Sequence, residues 1–273
     1  MILLNNSQKL LALYKSLARS IPESLKVYGS VYHINHGNPF NLEVLVDSWP
    51  EYRMVIIRPQ KQEMTDDMDL YTNVYRIFSK EPQKSQEILK NCEIINWKQI
   101  LQIQGFQGSL EDILNLNASN KSKFGSWAET GHPDVEFESE TPDFKYAQLD
   151  VSYSGLVNDR WRRGKNERSL RYIKRCIEAL PTACVLGPEG IPVSWVTMDP
   201  SCELGMAYSM ERYRKKGKMR QTMVQFKKYL RQNNIPFYLS VLEFNEDSRR
   251  SVKQNGFFEA ACEWHQWTCY PQI

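Results

Sequence analysis

The chain has 273 residues, 41% apolar and 25% charged, with a formal net charge of +3. That balance is expected of a globular protein of one large domain or two small ones. It excludes a disordered or collagenous chain, and no apolar run approaches the roughly 20 residues of a membrane span. Six cysteines (Cys92, Cys176, Cys184, Cys202, Cys262, Cys269) show no Cys-x-x-Cys spacing, and the four histidines do not join them at ligand spacing. A reducing compartment is expected, with no metal site.

In chain order, residues 7–20 carry Leu10, Leu13 and Leu17 at helical spacing. The same segment has Lys9, Lys15 and Arg19 and no acid before Glu23, which also fits a targeting helix; a first domain helix is the preferred reading. Residues 27–34 read as a strand, 35–39 as a turn, and 40–48 as a short helix. Strands follow at 52–58, 71–79 and 100–104, with a helix at 83–91. Residues 1–116 thus form an N-terminal α/β domain. Residues 117–143 are rich in Ser, Asn, Lys, Glu and Pro, with acids packed at 134–143, and read as a linker. Residues 144–273 form a second domain. It opens with a strand at 144–151 and helical stripes over 156–180, interrupted at Arg163-Gly164-Lys165. A hairpin turns at Gly187–Gly190, and strands follow at 202–210 and 237–243. Helices occupy 219–232 and 245–254, and a last strand 257–269. The polar stretch Gly164–Ser169 is either a loop over a site or a capped helix start.

Residues 212–242 hold nine Lys or Arg and no Asp or Glu, so the rest of the chain sums to −6. The cluster Arg212, Arg214, Lys215, Lys216, Gly217, Lys218, Met219 follows a strand and opens a helix. Unsatisfied N–H groups and the positive end of the helix dipole converge there, and Gly217 can take φ > 0 and let a phosphate approach. A solvated basic helix start gives the same pattern. A nucleic-acid surface is disfavoured, because Met219, Met223, Phe226 and Leu230 require burial of one helix face. Lys227, Lys228 and Arg231 fall on the solvated face in this reading. The next helix has Asn245 as its cap and Glu246 and Asp247 in its first turn, which repel an anion.

The strand at 202–210 alternates. Cys202, Leu204, Met206 and Tyr208 make a bulky core face; Glu203, Gly205, Ala207 and Ser209 make a small, open one. Glu203 there is placed either to accept a proton or to pair with a cation. Trp264, His265 and Trp267 read as core and edge packing.

The order strand, Arg214-x-x-Gly217-x-Met219, helix, strand ending at Asn245, helix is similar to the Gcn5-related N-acetyltransferase fold. The stretches Lys26–Phe40, Gly164–Ser169, Leu186–Gly190 and Trp264–Trp267 carry the comparison further, and over essentially its whole length the chain resembles the glycine N-acyltransferase family. The resemblance implies a mixed α/β sheet of that fold in the C-terminal domain, preceded by a smaller, degenerate α/β domain of similar type. It implies transfer of an acyl group from acyl-CoA to the amino group of glutamine or glycine, with acyl-CoA as cosubstrate, no prosthetic group, and a mitochondrial location, with the cytoplasm as second choice. It makes Glu203 the general base and gives the CoA pyrophosphate to Arg212 and Arg214–Met219, with Asn245 counted beside them. Three features depart from the family pattern. Met219 stands where a small residue closes the loop. Val252 stands where a tyrosine serves as acid in many relatives of the wider fold. The stretch Gln104–Leu116 is shorter than in the family. The alternative is a shortened, non-catalytic acyl-CoA-binding or interaction protein.

Overall fold

The computed structural model describes residues 1–90, 93–105, 118–129 and 141–271. Its elements are β1 (Ile2–Leu4), α1 (Ser7–Leu17), α2 (Leu25–Ile34), β2 (Leu42–Val46), β3 (Met54–Pro59), β4 (Val74–Ser79), α3 (Gln86–Leu89), β5 (Leu101–Gly105), β6 (Ala118–Glu129), β7 (Lys145–Ala147), α4 (Ser154–Arg160), α5 (Glu167–Ala179), β8 (Ala183–Leu186), β9 (Pro192–Met198), β10 (Glu203–Ser209), α6 (Lys218–Gln232), β11 (Tyr238–Leu242), α7 (Glu246–Gln254) and β12 (Phe257–Cys269). They fall into two compact units. Unit 1 is residues 1–126 with 241–244 and 260–273; unit 2 is residues 127–240 with 245–259. Strand β12 is shared, residues 257–259 falling in unit 2 and 260–269 in unit 1. No helix among the described residues is long and apolar enough to cross a membrane.

In unit 1, β1, β2, β3 and β4 pair antiparallel in turn, β4 pairs parallel with β5, and β12 pairs antiparallel with β5. Helix α1 starts where the Asn6 side chain accepts the N–H groups of Gln8 and Lys9, and it buries Leu10, Leu13 and Leu17. Leu45, Ile56, Tyr75, Ile77, Leu101, Ile103 and Trp267 fill one core. Trp264 is buried beneath the Lys26 ammonium, 3.8 Å from its ring centroid, in keeping with a packing role. Unit 2 repeats the order: β7, two helices (α4, α5), then β8, β9 and β10 antiparallel, a helix (α6), and β11 parallel to β10. Its core gathers Leu149, Val157, Ile173, Ile177, Cys184 and Trp195.

Several local expectations are corrected. Residues 27–34 are helical, not extended. Helix α2 buries Leu25, Lys26, Val27, Gly29, Ser30, Val31 and His33. Burial nearly all round removes the apolar stripe by which a helix is recognised. Residues 40–48 give strand β2 in place of a helix, because cross-strand pairing with β3, including the 2.6 Å Arg58 Nε–Glu43 Oε1 ion pair, outweighs local pattern. The helix expected at 83–91 shrinks to Gln86–Leu89. Residues 118–129, assigned to the linker on composition, form β6. Residues 130–140 of that linker, and 106–116 of the stretch expected to be short, lie outside the described residues.

Lys227 is not on a solvated face. It is 1% exposed, and its Nζ donates to the Asn255 carbonyl at 2.8 Å, closing the C-terminal end of α7. Lys228, the next residue, is exposed. Lys227→Ala should lower the unfolding free energy by about 2–3 kcal/mol, by stranding that carbonyl and deleting a buried stem. Lys228→Ala should stay within about 0.5 kcal/mol of the parent. Urea titrations of the two variants make the comparison; equal shifts would refute a buried, bonded Lys227.

Candidate functional site

Glu203 begins β10, and the turn before it fixes its backbone. Asp199 Oδ1 accepts from the N–H of Ser201 (2.7 Å), the Ser201 hydroxyl (2.7 Å) and the N–H of Glu203 (3.1 Å). Asp199 N–H in turn donates to the Glu203 carbonyl at 2.9 Å. Cys202 sits in this turn at φ +63° and is fully buried. Burial, and secondarily Asp199, hold its thiol well above the ordinary range, so it is not a nucleophile at neutral pH. Glu203 itself is half-buried.

β10 then departs from a regular strand. Gly205 pairs with Thr197 and Tyr208 with Trp195, so three steps on β10 match two on β9. The extra residue is a β-bulge, and Met206 takes φ +52°. The bulge reverses the alternation expected for the strand. Thr197 and Trp195 lie on one face of β9, so their partners Gly205 and Tyr208 share a face too, and Glu203, two residues before Gly205, joins them. Tyr208 therefore lies on the Glu203 face, not opposite it. That face is the one packed by α4 and α5, where Tyr208 stacks on Trp195 at 5.3 Å. Ser209 has turned to the other side, where its Oγ donates to Ser194 Oγ (3.1 Å), and Ser194 also receives the hydroxyl of Thr222 on α6 (3.1 Å).

β10 and β11 are registered at Glu203↔Tyr238 and Leu204↔Leu239. Beyond Leu204, β10 runs on through the bulge to Ser209 while its register stays with β9. In unit 1 the corresponding parallel pair stays in register over four positions, Val74↔Gln102 to Ile77↔Gly105, and β4 pairs with β3 without a shift. The register shift next to a half-buried carboxylate is thus a feature of unit 2. A cavity of about 1020 Å³ lies in unit 1 beside Arg58 and Tyr75. There the Arg58 guanidinium is already bound to Glu43 and to the carbonyls of Glu93 and Ile94, both at 2.7 Å. That cavity is lined by none of the candidate catalytic or CoA-binding residues.

The loop after β10 leads into α6. Lys215 and Gly217 take φ of +60° and +72°, a backbone that turns successive N–H groups to one side. Gly217 is the N-cap and no side chain caps the first turn, which contains no acid. Asn245, by contrast, is a plain cap: its side chain accepts from Ser248 N–H at 3.1 Å, above Glu246 and Asp247. The helix end at Gly217 leaves its first-turn N–H groups without a side-chain cap or an acid, whereas the one at Asn245 has both.

The basic side chains are largely engaged. Arg212 is drawn to Glu189 (3.4 Å). Arg214 Nε donates to the Ser209 carbonyl (3.2 Å), with its guanidinium 5.1 Å from the Tyr208 centroid. Lys218 Nζ lies 3.4 Å from the Phe144 ring centroid, and burial lowers its pKa. Lys215 and Lys216 are exposed, and Met219 is half-buried. Sequence reasoning missed Asp199, Tyr208 and Arg160, the last residue of α4, whose guanidinium stands 5.9 Å from the same Tyr208 centroid. None carries a local signature; only the fold brings them to the site. Gly164–Ser169 proves to be a capped helix start, with Asn166 and Ser169 in a reciprocal capping box. Asn158 Oδ1 braces it by accepting from Lys165 N–H (2.9 Å) and Ser169 Oγ (2.6 Å).

Comparison with known proteins identifies the family. Residues 1–129 and 115–181 match the model of the aralkyl acyl-CoA:amino acid N-acyltransferase family, and residues 183–271 match its C-terminal region. The chain is 78% identical to human glycine N-acyltransferase-like protein 1, covering 100% of this chain and 98% of the relative. Their alignment runs over 297 positions against 273 residues, so the relative carries positions that this chain lacks. Human glycine N-acyltransferase is 42% identical, with 99% of both chains covered. Among solved structures, a Drosophila protein superposes with TM-score 0.77 at 13% identity over 100% of this chain and 99% of that one. A tandem GNAT protein from the clavulanic acid biosynthesis pathway superposes with TM-score 0.54 at 11% identity over 100% and 98%. These likenesses extend to the fold. The chain belongs to the aralkyl acyl-CoA:amino acid N-acyltransferase family, and is an acyltransferase with acyl-CoA as its cosubstrate.

Proposed function

We propose that the chain transfers the acyl group of an acyl-CoA to the amino group of glutamine or glycine by direct attack, with Glu203 as general base. The observation that carries this reading is the placement of a half-buried carboxylate at the start of β10, on the strand that bulges, separates from β11 and feeds the uncapped α6 N-terminus. In the proposed step Glu203, directly or through one water, takes a proton from the acceptor ammonium. The amine attacks the thioester carbonyl, and the C–S bond breaks as the amide forms. The backbone N–H groups of the bulge, Met206 and Ala207, fall where β10 shifts register and are the donors for the developing oxyanion. The thiolate leaves without a tyrosine acid, since Val252 stands on α7, and a thiol is acidic enough to leave. Cys202 takes no part.

A mitochondrial location belongs to the same proposal. It rests on the family resemblance alone, since the basic segment with Lys9, Lys15 and Arg19 is the packed helix α1. Imaging of the chain tagged at its C-terminus should show it coincident with a mitochondrial marker.

Thiol release from benzoyl-CoA and acetyl-CoA with a panel of amino acids tests the reaction. Release that depends on glutamine or glycine is expected, and CoA binding without release would sink the reading. Glu203→Gln should reduce kcat by about 10²–10⁴-fold. In the parent, the rate should fall as pH drops through the carboxylate pKa, because protonation removes the base; the variant should lack that limb. An identical pH profile excludes Glu203 as base. Gly217→Val forces a β-branched residue into a left-handed conformation and places a side chain where the anion approaches. It should raise KM for acyl-CoA about ten-fold or more and leave KM for the amino acid within two-fold. Unaltered acyl-CoA affinity would remove the α6 N-terminus from the site.

A further inference from the structure

One arrangement in unit 2 places positive charge where the acyl-transfer reading does not yet use it. Arg160 and Arg214 come from different elements, yet both guanidinium groups stand over Tyr208, at 5.9 and 5.1 Å from its ring centroid. Trp195 stacks on that ring at 5.3 Å with planes 29° apart, so part of the ring is already covered. Among the described residues neither guanidinium has a carboxylate partner. Arg214 bonds to the Ser209 carbonyl, and the contact of Arg160 is the ring itself. A cation in the last turn of a helix is favoured by the dipole, which explains a basic residue at the end of α4. It does not explain why that residue turns over a ring already carrying a guanidinium. Two like charges near one half-buried ring repel, and contact with the ring does not neutralise them. An anion with several oxygens, held by two planar forks, does.

We propose that Arg160 and Arg214 form a two-guanidinium subsite that grips a phosphate of CoA, with Tyr208 as the platform holding them apart. This rests on the acyl-transfer reading for its ligand. Two groups in that reaction carry anionic oxygens, the CoA phosphates and the carboxylate of the amino acid. Position along β10 favours the phosphate. A strand rises about 3.3 Å per residue, so Tyr208 stands roughly 15 Å from Glu203, far beyond the span of a small amino acid whose amine is at the base. It adjoins the loop that leads to Gly217. Arg160 thus brings to the phosphate cradle a charge from α4, outside the basic stretch itself.

The test compares the parent with Arg160→Gln in the full chain. Arg160 is exposed, and an unchanged thermal midpoint confirms an intact fold. Calorimetric titration with CoA itself should show a Kd raised about ten-fold or more, the scale of a lost charged hydrogen bond. Dephospho-CoA, which lacks the 3′-phosphate, shows which phosphate is held: the variant's loss persists if the pyrophosphate is gripped and vanishes if the 3′-phosphate is. In initial-rate assays KM should rise for acyl-CoA and stay constant for the amino acid. A rise confined to the amino acid, or a CoA affinity equal to the parent's, overturns the proposal. Binding and turnover separate the two ideas. Parent protein that binds CoA through Arg160 without turnover refutes the acyl-transfer reading alone, and turnover with unaltered CoA affinity in the variant refutes the subsite alone.

Discussion

The register shift in β10 is the constraint on which the site depends. One extra residue between Gly205 and Tyr208 has two effects at once. It takes Met206 and Ala207 out of the paired register with β9. It swaps the faces of every later side chain, which puts Tyr208 on the Glu203 side and Ser209 on the α6 side. It also follows directly on the two positions, Glu203 and Leu204, at which β10 is in register with β11. Met206 holds a left-handed conformation that costs a non-glycine residue about 1–2 kcal/mol. It persists because its neighbours are fixed: Tyr208 is stacked on Trp195, and Glu203 is held by the Asp199 turn.

Unit 1 shows what the same topology does without that shift. It has the same order of strands and crossover helix, with a parallel pair corresponding to β10 and β11. Its β3–β4 register is unbroken and β4 stays paired with β5 over four positions. A continuous ladder keeps the backbone of β4 paired on both sides. The crossover helix is also reduced, four residues in α3 against fifteen in α6, too short to present an anion site at its start. The two units repeat one order of elements, and the irregularities on which the proposed site rests occur in unit 2.

What was legible in the sequence was local. Gly217 before a helix, the Asn245 cap and the stripe Met223, Phe226, Leu230 each depend on neighbours within a turn, and the structure places each as expected. The bulge was not legible, because strict alternation was the only rule available for β10, and Met206 is an ordinary strand residue by type. The exchange of helix and strand at 27–34 and 40–48 has a similar origin. Burial on nearly all sides erases the periodicity that tells the two apart, and the pairing partner that decides, β3, is distant from β2's own pattern. Lys227 and Arg160 are the remaining cases. A buried lysine and a surface arginine look the same in sequence, and only a carbonyl at 2.8 Å or an aromatic ring distinguishes them.

The basic stretch that marks this chain works less by its net charge than by its backbone. Of its nine cations, Lys227 is buried against Asn255, Arg212 is drawn to Glu189, and Lys218 lies on Phe144. Exposed charges such as Lys215 and Lys216 act in high dielectric and are screened within about 8 Å at physiological salt. The N–H groups of the first turn of α6 and the Gly217 backbone are fixed in place, need no reordering on binding, and are not diluted by side-chain freedom. At the proposed phosphate site recognition is chiefly geometric, and the half-buried Met219 on α6 is the residue a smaller side chain would replace to let an anion come nearer. A guanidinium reaching in from α4 offsets that distance better than another flexible lysine on the loop, because its planar fork keeps its direction.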